Sequence, residues 1–127
     1  MDESFGKSYK LCSKKAIEAV FASKSSVRNY PYVVYYSAMK LPTDKSFQVV
    51  ISAPKKIFRK AHDRNRIKRL TREVFRKNKL ILEDHLATKE LQLALFVVYT
   101  HKEEMKYEVL MKKMASLLHK LVNELKN

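Results

Sequence analysis

The sequence predicts an α+β fold in which helices pack on a small mixed sheet as a single-domain sandwich. Apolar residues recur at helical spacing in three segments, and short runs rich in β-branched and aromatic residues lie between them. The chain has 127 residues, which suits one domain and leaves little room for a second. We therefore predict one domain over residues 1–127 in the order α-β-β-α-β-α. A third strand could fit before the second helix, and residues 1–10 are expected to be flexible.

The first half of the chain is expected to supply one helix and two strands. Residues 13–23 carry apolar side chains at helical spacing, and Ser13 is of a type that caps helix N-termini. Residues 30–36 are β-branched and aromatic, which predicts a strand, and residues 41–45 are typical of a turn. Residues 47–52 predict a second strand, which a following proline ends.

The second half is expected to supply a long helix, a strand and a final helix. Residues 59–82 contain neither Gly nor Pro and favour a helix. Residues 91–99 are mostly apolar, as in a strand that is buried on both faces. Residues 107–125 keep apolar side chains three or four positions apart, which predicts an amphipathic helix.

The charge balance narrows the classes of function. Lys and Arg number 27 against 13 acidic residues, which gives a formal net charge of +14 at pH 7. Nucleic acid is the first partner to expect for such a domain, with an anionic membrane surface as the alternative. Cys12 is the single cysteine, so neither an internal disulfide nor a paired-cysteine zinc motif can form, which favours a reducing, cytoplasmic compartment. The N-terminus does not resemble a signal peptide, and the longest apolar run is too short to span a bilayer.

Most of the positive charge lies between residues 55 and 79. Two acidic residues stand in this segment, and we expect both to act locally, Asp63 at the helix N-terminus and Glu73 beside Lys77. Charge that is almost entirely positive favours phosphate binding, because a solvated face that only aids solubility usually mixes both signs of charge. Its basic residues are Lys55, Lys56, Arg59, Lys60, Arg64, Arg66, Lys68, Arg69, Arg72, Arg76, Lys77 and Lys79.

Helical spacing divides this segment into two faces. The stripe that can face the sheet holds Ile67, Leu70, Val74 and Ile81. A different face carries cations four positions apart, where repulsion is tolerable if something negative lies against them. This face consists of Arg64, Lys68, Arg72 and Arg76 with Asn65, Arg69 and Lys79 beside them.

A second cluster of interest is aromatic. Flat side chains beside a basic groove can stack unpaired bases, but each of them could equally belong to the core. Strand alternation puts Tyr30, Tyr32 and Tyr36 on one face of the sheet. Tyr35 lies on the other face, so the four tyrosines cannot all serve one site. Phe21, on the apolar side of the first helix, is either core or cleft wall.

The residues indicate no catalytic site on the protein itself. None of the four histidines has the spacing of metal ligands, and the basic segment has too few carboxylates for a metal-dependent nuclease. Cys12 has no evident histidine partner and is better explained as a small apolar-like residue.

Residues 55–76, KKIFRKAHDRNRIKRLTREVFR, closely resemble the signature of the bacterial ribonuclease P protein family. The hallmark of that signature is an Arg-Asn-Arg segment followed by basic residues. The similarity extends over most of the chain, because the first helix and the three strands come in the expected order. The resemblance implies the family's α+β sandwich, which is like a ribosomal-protein domain and includes a left-handed crossover.

The resemblance also implies partners and roles. In that family the RNA subunit performs the hydrolysis, and one small basic protein per RNA binds it and the precursor tRNA. Magnesium is held mainly by RNA, so the protein alone is expected to have no cofactor and no metal ligand. Because RNA is the catalyst, the protein is expected to have no catalytic residue, and no membrane partner is expected. The residues expected to contact the catalytic RNA are Arg64, Asn65, Arg66, Lys68, Arg69 and Arg72, to which the charge argument adds Lys55, Lys56, Arg59 and Arg76. The expected cleft for the single-stranded 5′ leader holds Phe21 and Tyr35, with Tyr32 and Val33 close by.

Four positions near that cleft depart from the family pattern. Gln48 and Val50 stand where an Arg and a Gly are usual, Ile17 replaces an aromatic residue, and Pro54 replaces a small one. The alternative function is a structural RNA-binding protein of ribosomal type without a processing role. A membrane-surface module is disfavoured, because the narrow apolar stripe of the charged helix is needed for the sheet.

Overall fold

The computed structural model describes residues 6–89 and 91–126, with side chains described up to residue 87 in the first range. The order of its helices and strands confirms the predicted α+β class. The elements are a short 3₁₀ helix at Lys7–Tyr9, α1 at Lys14–Ala22, β1 at Ser26–Asn29, β2 at Tyr32–Ala38, β3 at Phe47–Ser52, α2 at Ala61–Lys89, β4 at Leu93–Tyr99 and α3 at Tyr107–Leu125. Within the described ranges, no helix is both long and apolar enough to cross a membrane.

The four strands form one mixed sheet in the order β1-β2-β4-β3. β1 pairs with β2 and β2 pairs with β4 in antiparallel fashion, whereas β3 and β4 are parallel. Parallel neighbours need a long connection, and α2 supplies it. β4 therefore lies in the interior of the sheet, which explains its nearly continuous apolar sequence.

The two faces of the sheet are covered unequally. α2 and α3 pack together over one face, where the main core contains Tyr32, Phe47, Phe75, Leu95 and Leu110. The much shorter α1 covers the other face through Ala16 and Val20, against β2 and β4. Tyr35, Val50 and Phe96 on that face are only partly buried. The sheet therefore offers an open cleft beside α1.

The predicted helix starts agree with the observed ones where a local signal exists. The Ser13 hydroxyl accepts a hydrogen bond from the backbone N–H of Ala16 at 3.2 Å, which caps α1 as expected. α3 begins at Tyr107, as its spacing predicts, and buries Leu110 and Met114 on its apolar stripe.

The main differences from the sequence prediction concern β1, β2 and the end of α2. β1 was not among the elements located along the chain, because three of its four residues are polar and only Val27 is buried. β2 begins at Tyr32 instead of residue 30, since the chain turns through Tyr30 and Pro31, and proline has no N–H to donate to a ladder. α2 continues seven residues past residue 82, because Leu86 extends its buried stripe.

The segment before α1 also differs from the expectation. Residues 1–10 were expected to be flexible, and residues 1–5 lie outside the described residues. The rest of the segment packs on the domain, since Tyr9 is buried and Lys10 bridges to Val49 on β3. The physical reason is a contact with α2 more than 65 positions away, which no local pattern could indicate.

Candidate nucleic-acid interface

The first turns of α2 are held in place by Arg64. Its guanidinium donates from Nη1 to the carbonyl oxygens of Phe58 and Arg59, at 2.9 and 3.0 Å. Asp63 lies in the first turn, where the helix dipole favours a negative charge, as predicted. Arg64 is therefore half-buried and positions the loop that enters the helix, while its neighbour Asn65 is exposed.

Lys68, Arg69 and Arg72 form the exposed cationic face of α2. All three line one groove, so they lie on the same side of the helix. Lys68 and Arg69 have no acidic partner among the described residues. This face therefore offers positive charge to a ligand outside the chain. The loop before α2 adds further exposed cations, which are Lys55, Lys56, Arg59 and Lys60.

Arg66 differs from these residues because it is paired within the chain. Its Nε and Nη2 both donate to the carboxylate of Glu104, with the Nη2–Oε2 contact at 3.2 Å. The hydrogen bonds and the opposite charge hold the pKa of Glu104 below its usual range and raise the pKa of Arg66. Sequence reasoning missed Glu104, which lies 38 positions away on the loop between β4 and α3. The Arg66 side chain remains 64% exposed, so a stronger anion could still reach it.

The second half of α2 is not part of the cationic face. Arg76 donates to the Glu73 carboxylate at 2.6 and 3.1 Å and holds the pKa of Glu73 below its usual range. Glu73 was expected to act beside Lys77, whose positive charge also lowers the pKa of Glu73, and Arg76 adds the hydrogen bonds. Arg76, which we expected to contact RNA, is thus half-buried and engaged within its own helix.

Lys79 corrects the sequence interpretation more strongly. The sequence placed it beside the exposed cations, yet its side chain is only 2% exposed. Its Nζ donates to the Tyr9 hydroxyl at 3.2 Å and lies 4.4 Å from the centre of the Tyr9 ring. The Tyr9 hydroxyl in turn donates to Glu83 at 2.6 Å. Lys79 therefore anchors the N-terminal segment to α2.

The aromatic cleft lies on the face of the sheet that α1 covers. Phe21 is 44% exposed and contacts Tyr35 and Phe96, with ring centres 5.1 and 4.8 Å apart. Val33 shares this face with Tyr35 by strand alternation, but it is buried. The sequence does not single out Phe96, because the mostly apolar segment 91–99 predicts a strand that is buried on both faces. Alternation along β4 could have found it, since Leu95 and Val97 point into the main core.

Two predicted tyrosines lie elsewhere. Tyr32 is fully buried on the α2 face, with its hydroxyl 3.4 Å from that of Thr71, and burial raises its pKa. It therefore does not line the aromatic cleft, contrary to the expectation. Tyr30 is not in a strand at all, but lies exposed in the turn before β2 and contacts His101 by a hydrogen bond and an edge-on ring contact.

The four departures from the family pattern have structural roles of their own. Gln48 is buried beside the α1 face and donates to the Ser8 carbonyl at 3.1 Å, which ties β3 to the N-terminal segment. Ile17 on α1 and Val50 on β3 are both partly buried in the cluster between α1 and the sheet. The Pro54 carbonyl accepts from the N–H groups of Ile57 and Phe58, so it closes the turn that carries Lys55 and Lys56.

The described residues show no cluster of metal-binding side chains. Across residues 6–89 and 91–126, no three His, Cys, Asp or Glu side chains lie close enough together to hold one. The carboxylates near the cationic face, Glu73 and Glu104, are already bonded to arginines.

Comparison with known proteins identifies close sequence relatives. A family model described as Ribonuclease P matches residues 5–122. The ribonuclease P protein component of Lactobacillus helveticus is 40% identical over 77 residues, which are 61% of this chain and 62% of that protein. The corresponding component of Porphyromonas gingivalis is 35% identical over 85 residues, which are 67% of this chain and 62% of that protein. The chain thus spans about three fifths of the length of these curated relatives.

Solved structures share the fold. The RNase P protein from Thermotoga maritima superposes with a TM-score of 0.69 at 22% identity, covering 87% of this chain and 96% of that one. The Staphylococcus aureus RNase P protein gives a TM-score of 0.64 at 22% identity, covering 89% and 94%. Identities this low show the fold alone. The family model covers nearly the whole chain, and on that ground the chain belongs to the ribonuclease P protein family.

Proposed function

We propose that this chain is the protein subunit of ribonuclease P, which removes the 5′ leader of precursor tRNA. In this proposal the RNA subunit performs the hydrolysis, with magnesium bound mainly by RNA, and one protein binds each RNA. The enzyme acts in the cytoplasm, and the protein supplies no catalytic residue of its own.

The observation that carries this proposal is the cationic face in a chain of this family. Lys68 and Arg69 are exposed and have no carboxylate partner in the part of the chain that the structure describes, and Arg72 lines the same groove. Such cations offset the repulsion between two phosphate backbones, and arginine can donate to two phosphate oxygens at once. We assign this face, with the exposed Asn65, Lys55, Lys56 and Arg59, to the catalytic RNA.

The aromatic cleft is assigned to the leader. Phe21, Tyr35 and Phe96 offer flat surfaces on which unpaired bases can stack. Holding the leader fixes the position of the scissile phosphate relative to the RNA active site, which lowers the entropic part of the barrier. Tyr32 has no role in this assignment, because it is buried on the opposite face.

A reconstitution assay tests the assignment to processing. The purified chain is mixed with its cognate ribonuclease P RNA and precursor tRNA at low magnesium, and the cleavage rate is compared with that of the RNA alone. We expect the protein to accelerate cleavage at the mature 5′ end, and the protein without RNA to cleave nothing. A structural RNA-binding protein would bind RNA without changing that rate, and this result would overturn the proposal.

The leader assignment has its own test. Tyr35→Ala is expected to weaken binding of precursor tRNA roughly tenfold, the loss of one stacked base, while binding of leaderless tRNA is unchanged. Tyr30→Ala, which removes an exposed tyrosine from the turn outside the cleft, is the matched control and should leave both affinities as they are. Equal losses for the two substrates would show that Tyr35 acts only in folding.

A further inference from the structure

A groove of about 330 Å³ runs along the outer edge of β3, beside the cationic face of α2. β3 is the last strand of the sheet, and on its outer side the described residues contribute only the bridge between Lys10 and Val49. We call it the edge groove. It is lined by Tyr9, Lys10, Val49, Val50, Ile51, Lys68, Arg69 and Arg72.

The floor of the edge groove combines apolar side chains with polar backbone. The N–H of Leu11 donates to the outward carbonyl of Val49 at 3.1 Å. Backbone groups two residues apart point the same way along a strand, so the N–H and C=O of Ile51 also face outward. Among the described residues no strand covers Ile51 on this side, and one donor and one acceptor therefore lie beside the apolar floor.

One end of the edge groove is fixed before any ligand binds. Tyr9 is held by its hydrogen bond to Glu83 and by the Lys79 ammonium over its ring. Lys10, the next residue, is exposed at the groove end. Preformed walls reduce the ordering cost of binding, so the groove is suited to a small ligand.

The lining chemistry favours a nucleotide over a peptide. A heterocyclic base fits an apolar floor with one donor and one acceptor, and its phosphate fits the three cations of α2. A peptide that extends a sheet needs a row of backbone pairs, whereas here the Val49 carbonyl is already taken. The volume is at the lower end of the range for small-molecule sites, about 300–1,000 Å³.

We propose that the edge groove is a subsite for one unpaired nucleotide of the RNA subunit. Its base lies on Ile51, whose side chain is on the α2 face of β3, and its phosphate lies against Lys68, Arg69 and Arg72. The RNA subunit is the source because these cations belong to the face assigned to that RNA, while the aromatic cleft assigned to the leader lies beside α1. This inference rests on the proposed function.

Cross-linking in the reconstituted holoenzyme tests the subsite. Cys12→Ser removes the single cysteine, and Lys10→Cys then carries an aryl-azide probe at the end of the groove. We expect irradiation to join this probe mainly to one unpaired nucleotide of the RNA subunit. The same probe at Lys14→Cys, an exposed position on α1 that does not line the groove, should not label that nucleotide.

A variant that fills the groove completes the test. Ile51→Phe, which enlarges a side chain on the α2 face of β3, should abolish the cross-link and weaken RNA-subunit binding roughly tenfold, the loss of one base contact. Circular dichroism checks its fold. If it does not fold, Ile51→Met replaces it, and if neither variant folds, the position of the cross-link decides. A cross-link to the leader or to paired RNA, or one that survives groove filling, overturns the subsite.

The same samples separate this inference from the function on which it rests. If the probe-bearing protein accelerates leader removal but labels the wrong nucleotide, the subsite alone is wrong. If neither this protein nor the unmodified chain accelerates cleavage, the proposed function fails.

Discussion

Lys68 and Arg69 in the first half of α2 are exposed, whereas Lys79, about three turns further on, is buried. The two halves have similar basic sequences, but their surroundings differ. Among the described residues, neither Lys68 nor Arg69 has a carboxylate partner, whereas Lys79 has Glu83 on its own helix and the ring and hydroxyl of Tyr9 from the N-terminal segment. Partners within the chain therefore determine which cations remain available to RNA.

The largest effect should come from neutralising the first half. Lys68→Ala, Arg69→Ala and Arg72→Ala together are expected to weaken RNA-subunit binding about 100-fold at low salt, since charge-assisted hydrogen bonds each contribute roughly 1.5–3 kcal/mol and are not additive. The measurement is filter binding over a salt series. The slope of log K against log salt should fall in magnitude by about 2, at roughly 0.7 per phosphate.

A control variant that also loses three positive charges separates the effect of their position from the effect of net charge. Three exposed lysines at α3, Lys106, Lys112 and Lys126, are replaced by Ala in one variant. Its RNA affinity should stay within about threefold of the parent chain, because these lysines lie outside the assigned interface. Equal losses in the two triple variants would show that RNA senses only the total charge.

Substitutions around Lys79 in the second half of α2 should change the stability of the protein and not its RNA affinity. Glu83→Ala leaves the Lys79 ammonium and the Tyr9 hydroxyl without this acceptor, so we expect the free energy of unfolding to fall by about 2 kcal/mol. Urea unfolding measures it. Lys79→Met with Glu83→Leu removes both charges and should recover most of the loss. A larger effect of Glu83→Ala on RNA affinity than on stability would contradict the anchoring role.

Short-range signals account for what could be predicted from the sequence. Ser13 stands next to the helix that it caps, and the cations of α2 follow one another on one face, so both are visible locally. The pairing of Arg66 and of Lys79 could not be predicted in this way, because their partners Glu104 and Tyr9 are 38 and 70 positions away. Alternation showed that Tyr32 and Tyr35 face opposite ways, but only the packing of α2 and α3 shows which face is closed.

Arg66 combines properties of both halves of α2, because its side chain is exposed like Lys68 and paired with a carboxylate like Lys79. A phosphate that binds Arg66 must displace the Glu104 carboxylate, so the pair opposes RNA binding. Glu104→Gln should therefore raise RNA-subunit affinity about twofold, a small effect because exposed ion pairs are weak. Glu103→Gln, which removes the neighbouring exposed carboxylate, is the matched control.

Glu104→Gln should also change how the stability of the protein depends on pH. Because Arg66 lowers the folded-state pKa of Glu104, the pair stabilises the protein above the ordinary pKa of 4.5. This contribution is lost as the pH falls through the lowered folded-state value. Thermal unfolding from pH 6 down to pH 3 should consequently decline less steeply for Glu104→Gln than for Glu103→Gln. Identical curves, together with unchanged RNA affinity, would mean that Arg66 is as available to a partner as Arg69.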